Sequence, residues 1–173
     1  MNDLKQIIAA SRQACLDTNH IREGRSYFDS HIYPVMMIGE VFMGLIPEED
    51  RPIVRAALAL HDGMEDHRLN WNDIVRITDS EQVAAIVYAV TNEKGHNRAE
   101  RANATYYKGI REVKYAPFVK FIDRVHNVAD SRCNDHPMYK KYQKEHPHFM
   151  KELECLEIKK YKLLILALNS LFV

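Results

Sequence analysis

Apolar residues return every three or four positions along almost the whole chain, and this spacing limits the possible folds more than any other feature. Leu4, Ile7, Ile8 and Cys15 form one stripe, Val35, Ile38, Val41, Phe42 and Leu45 a second, and Ile53, Val54, Ala57, Leu58 and Leu60 a third. The pattern continues through Ile74, Val75 and Ile77, then Val83, Ile86, Val87 and Val90, then Phe118, Phe121, Ile122, Val125 and Val128. Side chains at that period share one face of an α-helix, whereas a half-buried strand needs strict alternation. Only Ala84 to Val90 is apolar enough throughout to pass for a strand. Gly44 to Pro47 closes one helix, Pro52 and Pro117 open others, and Asn70 or Asn72 and Asp79 or Ser80 are candidate N-caps. The spacing therefore predicts an all-α bundle of about seven or eight helices.

Gly and Pro number six each, no repeat is visible, and no run rich in Ser, Gly or Pro divides the 173 residues. A single domain over 1–173 is expected, with its core over about 22–151 and a C-terminal helix over about 149–173 packing on it. A chain of this length can bury roughly two thirds of its unfolded surface, so it needs no disulfide to hold a core. Cys15, Cys133 and Cys155 are odd in number and widely separated, which suits reduced thiols. Met1 to Ala10 lacks the apolar run of a signal peptide, and Leu163 to Leu168 is too short to span a bilayer. A cytoplasmic protein is expected, with no membrane partner and self-association left open. Lys and Arg total 24 against 24 for Asp and Glu, so no whole-molecule field favours a DNA or RNA polymer. An anionic ligand has to be met by a local group of cations.

The chemistry is concentrated in Ala56-Ala-Leu-Ala-Leu-His61-Asp62-Gly-Met-Glu65-Asp66, where an uncharged apolar helix delivers four ionisable residues within six positions. If the helix continues past Leu60, Asp62 and Asp66 share a face at i, i+4 with Glu65 beside them. Carboxylates and an imidazole crowded at a buried helix end repel and lose hydration unless a cation joins them. A divalent ion takes imidazole nitrogen and carboxylate oxygen as ligands and acidifies water, which suits hydrolysis near neutral pH. A His-Asp pair alone arises by chance about once in two such chains, so the partners decide its meaning. His31 opens an amphipathic helix 30 residues upstream. Asp123 lies among Phe121, Ile122 and Val125, with Asn127 one turn further on. Without such partners, His61 and Asp62 would read as an ordinary helix end, and Asp123 as a buried carboxylate paired with Arg55 or another cation.

Taken together, His31, His61-Asp62-Gly-Met-Glu65-Asp66 and Phe121-Ile-Asp123-Arg124-Val-His126-Asn127 resemble the HD superfamily of metal-dependent phosphohydrolases. More narrowly, Val90-Thr91-Asn92-Glu93-Lys94, Glu100-Arg101 and the Asp123 segment are similar to the RelA/SpoT hydrolase domain and the small alarmone hydrolases, over about residues 22–151. The resemblance implies an HD-domain helical bundle with one metal ion, usually manganese, held by His31, His61, Asp62 and Asp123. It also implies Glu65 and Asp66 as the catalytic acidic pair and Asn127 as a ribose contact. The implied reaction releases pyrophosphate from the 3′ position of guanosine tetra- or pentaphosphate to give GDP or GTP. The resemblance offers Arg22 and Arg25 as substrate contacts, in a segment shorter than the stretch with which the family holds guanine. Lys94, Arg98 and Arg101, with Lys140, Lys141 and Lys144, are the candidate phosphate-binding cations. Arg124, adjacent to Asp123, is expected to point away from the metal.

Several positions depart from the family pattern. Pro follows the first ligand histidine only after two intervening residues, at Pro34, Gly63 stands where Thr is common, and His67 follows Asp66. The alternatives are an HD phosphohydrolase acting on another phosphorylated nucleotide, such as a nucleoside monophosphate or NADPH, and a catalytically silent nucleotide-binding module. His136, His146 and His148 read as a surface loop, and Tyr106-Tyr107 as core or pocket wall.

Overall fold

The computed structural model describes residues 1–22, 24–92, 96–154 and 158–173 and, for Arg98 and Ala99, the backbone alone. Helix α1 (Leu4–Asp17) leads to a two-stranded hairpin, β1 (Ile21–Arg22) and β2 (Arg25–Ser26), then to a π-helical turn (Phe28–Ile32) that runs directly into α2 (Tyr33–Phe42). There follow α3 (Arg51–Leu60), α4 (Gly63–Asp66), α5 (Trp71–Thr78), α6 (Glu81–Val90), α7 (Arg98–Arg101), α8 (Ala104–Glu112), α9 (Ala116–Cys133), α10 (Met138–Glu152) and α11 (Lys162–Ser170). The all-α expectation stands. Among the described residues nine helices have eight residues or more and two have four.

The caps explain where the helices begin. Asn70 and Asp73 form a reciprocal capping box at α5, each side chain 3.1 Å from the other's backbone nitrogen. Ser80 and Asn103 accept from the third residues of α6 and α8, and Pro34, Pro52 and Pro117 sit in first turns, where no N–H is missed. Ala84 to Val90 is helical because Ser80 starts the turn. Its apparent ambiguity arises because α6 is buried nearly all round, with only Tyr88 exposed in that stretch.

The core is built around α3, α6 and α9. Helix α1 packs on α3 and α5; α2 packs on α3 and α9; α6 touches α3, α5, α8 and α9; and α10 and α11 cover α9. Residues Ala56 to Leu60 and Ala116 to Val119 are all buried. Gly39 of α2 is the close-approach point against α3, because a Cβ there would lie 2.3 Å from Leu58 Cδ1. Leu58 is itself buried, so it has little room to yield. Gly39→Ala is expected to destabilise the protein by about 1–3 kcal/mol, read as a shift in denaturant midpoint at unchanged slope.

Two expectations change. The C-terminal stretch is not one helix over 149–173: α10 ends at Glu152, a 3₁₀ turn spans Ile158–Lys160, and α11 packs on α9 through Leu164 and Leu168. The segment holding His146 and His148 is not a loop but lies inside α10, which accommodates Pro147 within it. Proline favours a break in a helix, which is why the sequence reads as one.

Candidate metal centre

Helix α3 stops at Leu60 rather than continuing, and this break shapes the site. His61 caps it, and its Nδ1 lies 2.8 Å from Leu58 O, so Nδ1–H donates to that carbonyl and the Nε2 lone pair points inward. Asp62 leaves helical geometry at φ −97° and ψ 5° and caps the short α4, whose Asp66 N–H donates to Asp62 O at 2.9 Å. The expected single helix carrying Asp62 and Asp66 is thus two segments, and Glu65 and Asp66 stand at an exposed edge. Gly63 is packed tightly at this break: a Cβ would be 3.1 Å from Leu69 Cδ1 and 3.4 Å from Ile74 Cδ1.

His31 comes from the π turn, which is closed by Tyr33 N–H donating to Phe28 O. Its Nε2 lies 3.1 Å from His61 Nε2, 3.2 Å from Asp62 Oδ2 and 3.4 Å from Asp123 Oδ1. His61 Nε2 lies 3.3 Å from Asp62 Oδ2 and 3.8 Å from Asp123 Oδ1. Ligand atoms of His31, His61 and Asp123 all fall within 4.8 Å of one another, a buried cluster that could hold a metal ion, and Asp62 adjoins it. Asp123, in the middle of α9, also receives Lys120 Nζ at 3.1 Å and the Asn127 amide. Arg55, the alternative partner for Asp123, instead pairs with Glu40.

The buried carboxylates and their neighbours shift one another's titration. Burial pushes His31 down, but its bonds to Asp123 and Asp62 win and hold it up at about 9. His61 is also raised, Asp62 overcoming the burial penalty. Asp62 and Asp123 are pulled below the usual carboxylate range against burial, Asp62 chiefly by His61 and Asp123 chiefly by Lys120. Burial first, with His31 adding to it, takes His126 down to about 4. His126 Nδ1 lies 3.0 Å from His31 Nδ1, which the Arg22 guanidinium also approaches at 3.3 Å. The donor set, two imidazole nitrogens and carboxylate oxygens with their outer sides held, fits a divalent ion.

A cavity of about 360 Å³ opens on this cluster and reaches His31, Asp62, Asp123 and Asn127 together with Glu65 and Asp66. Glu65 is held by Asn92, whose Nδ2 lies 2.7 and 2.9 Å from its two oxygens. Burial and the charges of Asp62 and Glu65 raise Asp66 to about 6. Beyond the carboxylates the wall becomes cationic and aromatic, with Lys120, Arg101 and Arg124, then Tyr106, Tyr107, Tyr142, His148 and Phe149. Tyr106 and Tyr107 are buried and line the cavity, as core or pocket wall requires. Arg124 also lines it: its guanidinium meets Glu145 at 3.1 Å and stacks over Tyr142 and Phe149.

The other candidate cations whose side chains are described do not line the cavity. Arg22 reaches Asp130, Asn127 Oδ1 at 3.4 Å and His31 Nδ1 at 3.3 Å, and is not among the residues lining the cavity. Arg25 on β2, with Lys140, Lys141 and Lys144 on α10, is exposed outside it. Lys94 and the Arg98 side chain lie outside the described residues. Lys120, Asn92 and His148 were missed as site residues. Lys120 one turn before Asp123 was the one legible hint, since a lysine in an otherwise apolar turn needs a partner.

Comparisons with family models, with curated proteins and with solved structures found no match. No helix among the described residues is long and apolar enough to cross a membrane.

Proposed function

We propose that this chain is a metal-dependent phosphohydrolase that releases pyrophosphate from the 3′ position of guanosine tetra- or pentaphosphate. The reading rests on one observation: two buried imidazoles and two carboxylates converge beside a cavity that His31, Asp62 and Asp123 line and whose edge carries a second acidic pair. Its volume falls within the range of small-molecule sites. A divalent ion held by His31, His61, Asp62 and Asp123, with manganese the first candidate, would polarise the phosphoryl oxygens and acidify a water molecule. Asp66, raised to about 6, is matched to taking the proton of the attacking water near neutral pH. Glu65, pinned by Asn92, orients that water. The water oxygen bonds to phosphorus, the bond to the ribose 3′ oxygen breaks, and that oxygen takes up a proton. Lys120 and Arg101 supply positive charge for a strongly anionic substrate.

Purified protein with manganese should release pyrophosphate from guanosine tetraphosphate. Glu65→Gln should keep manganese affinity and lose about 10²–10⁴ in turnover, measured by titration and by initial rates. A second reading, hydrolysis of another phosphorylated nucleotide, is favoured by Arg22 and Arg25, since one is engaged by protein groups and the other is exposed outside the cavity. Orthophosphate release from a nucleoside monophosphate or NADPH would establish it. Binding without turnover of any nucleotide would make the chain a silent module.

A further inference from the structure

Tyr27 belongs to none of the motifs above, yet its hydroxyl donates to Asp62 Oδ2 at 2.7 Å. That oxygen is the one nearest both His31 Nε2 and His61 Nε2. We propose that Tyr27 is a positioning residue for the metal centre, holding Asp62 in the orientation that completes the ligand set; the inference rests on the metal-dependent reading of the site.

The phenol is placed by the hairpin. Ile21 pairs with Ser26 and Arg22 with Arg25, and Tyr27 N–H donates to His20 O at 2.9 Å, so His20 and Tyr27 form the next rung. Side chains opposite each other on a rung meet on one face. The two rings accordingly stack, 3.9 Å between centroids and 10° from parallel. His67 and His31 pack on the same phenol, at 5.3 and 4.9 Å between centroids. Tyr27 is buried among three imidazoles, and its hydroxyl points to Asp62. The π turn that follows then returns His31 to the same point, so a single short segment supplies both a ligand and the group that orients another. Tyr27 also packs its ring on His31 and lines the cavity, but its hydroxyl meets the centre through Asp62, and the loss of that hydroxyl alters no ligand atom.

The test titrates Mn²⁺ alone into wild-type protein and Tyr27→Phe by calorimetry, with the metal-free melting curve of each and the visible absorption of each Co²⁺ form. Tyr27→Phe keeps the ring stack and removes only the donor. The expected result is manganese affinity weakened by about 10–100-fold, an altered Co²⁺ spectrum and a metal-free melt close to wild type. Equal affinity and identical spectra in the two proteins would overturn the proposal while leaving the metal reading intact. A Tyr27→Phe protein that does not fold would overturn it too, since the hydroxyl would then serve the fold. Wild-type protein that binds neither ion would overturn the metal reading and this inference with it.

Discussion

His61→Ala combined with Asp62→Ala should reduce manganese-dependent pyrophosphate release from guanosine tetraphosphate by at least about a thousandfold. The magnitude follows from the several kcal/mol of charge stabilisation that a bound divalent ion contributes to phosphoryl transfer, at about 1.4 kcal/mol per factor of ten. The two residues present adjacent ligand atoms, 3.3 Å apart, and both face His31, so their removal strips half the ligand set. Initial rates across a manganese titration distinguish a weakened site, which recovers at high metal, from a destroyed one, which does not. Turnover that survives the double substitution would mean that the chemistry lies elsewhere in the chain.

Asp123→Ala should lower the stability of the metal-free protein by about 3–5 kcal/mol, the usual cost of leaving a buried charge without its partner. Asp123 is the carboxylate on which Lys120 and, through its other oxygen, His31 depend. Its removal takes from Lys120 its nearest carboxylate and leaves His31 with Asp62 alone, in a region where burial already opposes their charge. For a chain of this length the loss corresponds to roughly 6–20 °C in melting temperature. Added manganese should raise the midpoint of the wild type and not of the variant, because a ligand stabilises only the state that binds it. Both effects are read in a single thermal-melt series with and without metal.

The sequence carried the helices well because their apolar faces are regular, and it carried the cluster well because its four residues are costly anywhere else. It failed where backbone geometry, not composition, decides. Nothing in Leu60-His61-Asp62 announces that α3 ends there, since every residue in that run tolerates a helix and the break is set by Asp62 capping α4. The hairpin was invisible because two-residue strands leave no period to detect. Arg22 and Arg25 were named as substrate contacts from the resemblance alone, and the direction of a loop arginine is not legible in sequence: the fold turns Arg22 toward Asp130. Arg124, adjacent to Asp123, directs its guanidinium to Glu145, Tyr142 and Phe149 of α10, and the cavity extends far enough round α9 to be lined by both residues. Asn92 and His148 lie far from the motif core in sequence, and only the packing of α10 and of the segment after α6 brings them to the cavity.

The four clustered residues come from three separate stretches of chain: the turn before α2, the end of α3 and the middle of α9. His31 and His61 are 30 residues apart, and Asp123 is about twice as far again along the chain. An ion gripped by all of them would act as a reversible cross-link, closing two large loops with one particle. Loop-closure entropy grows only with the logarithm of length, so the second and longer loop costs little more to close than the first. The same few atoms proposed to hold the ion would thereby tie the N-terminal third of the chain to its longest described helix, coupling the occupancy of the centre to the cohesion of the whole bundle.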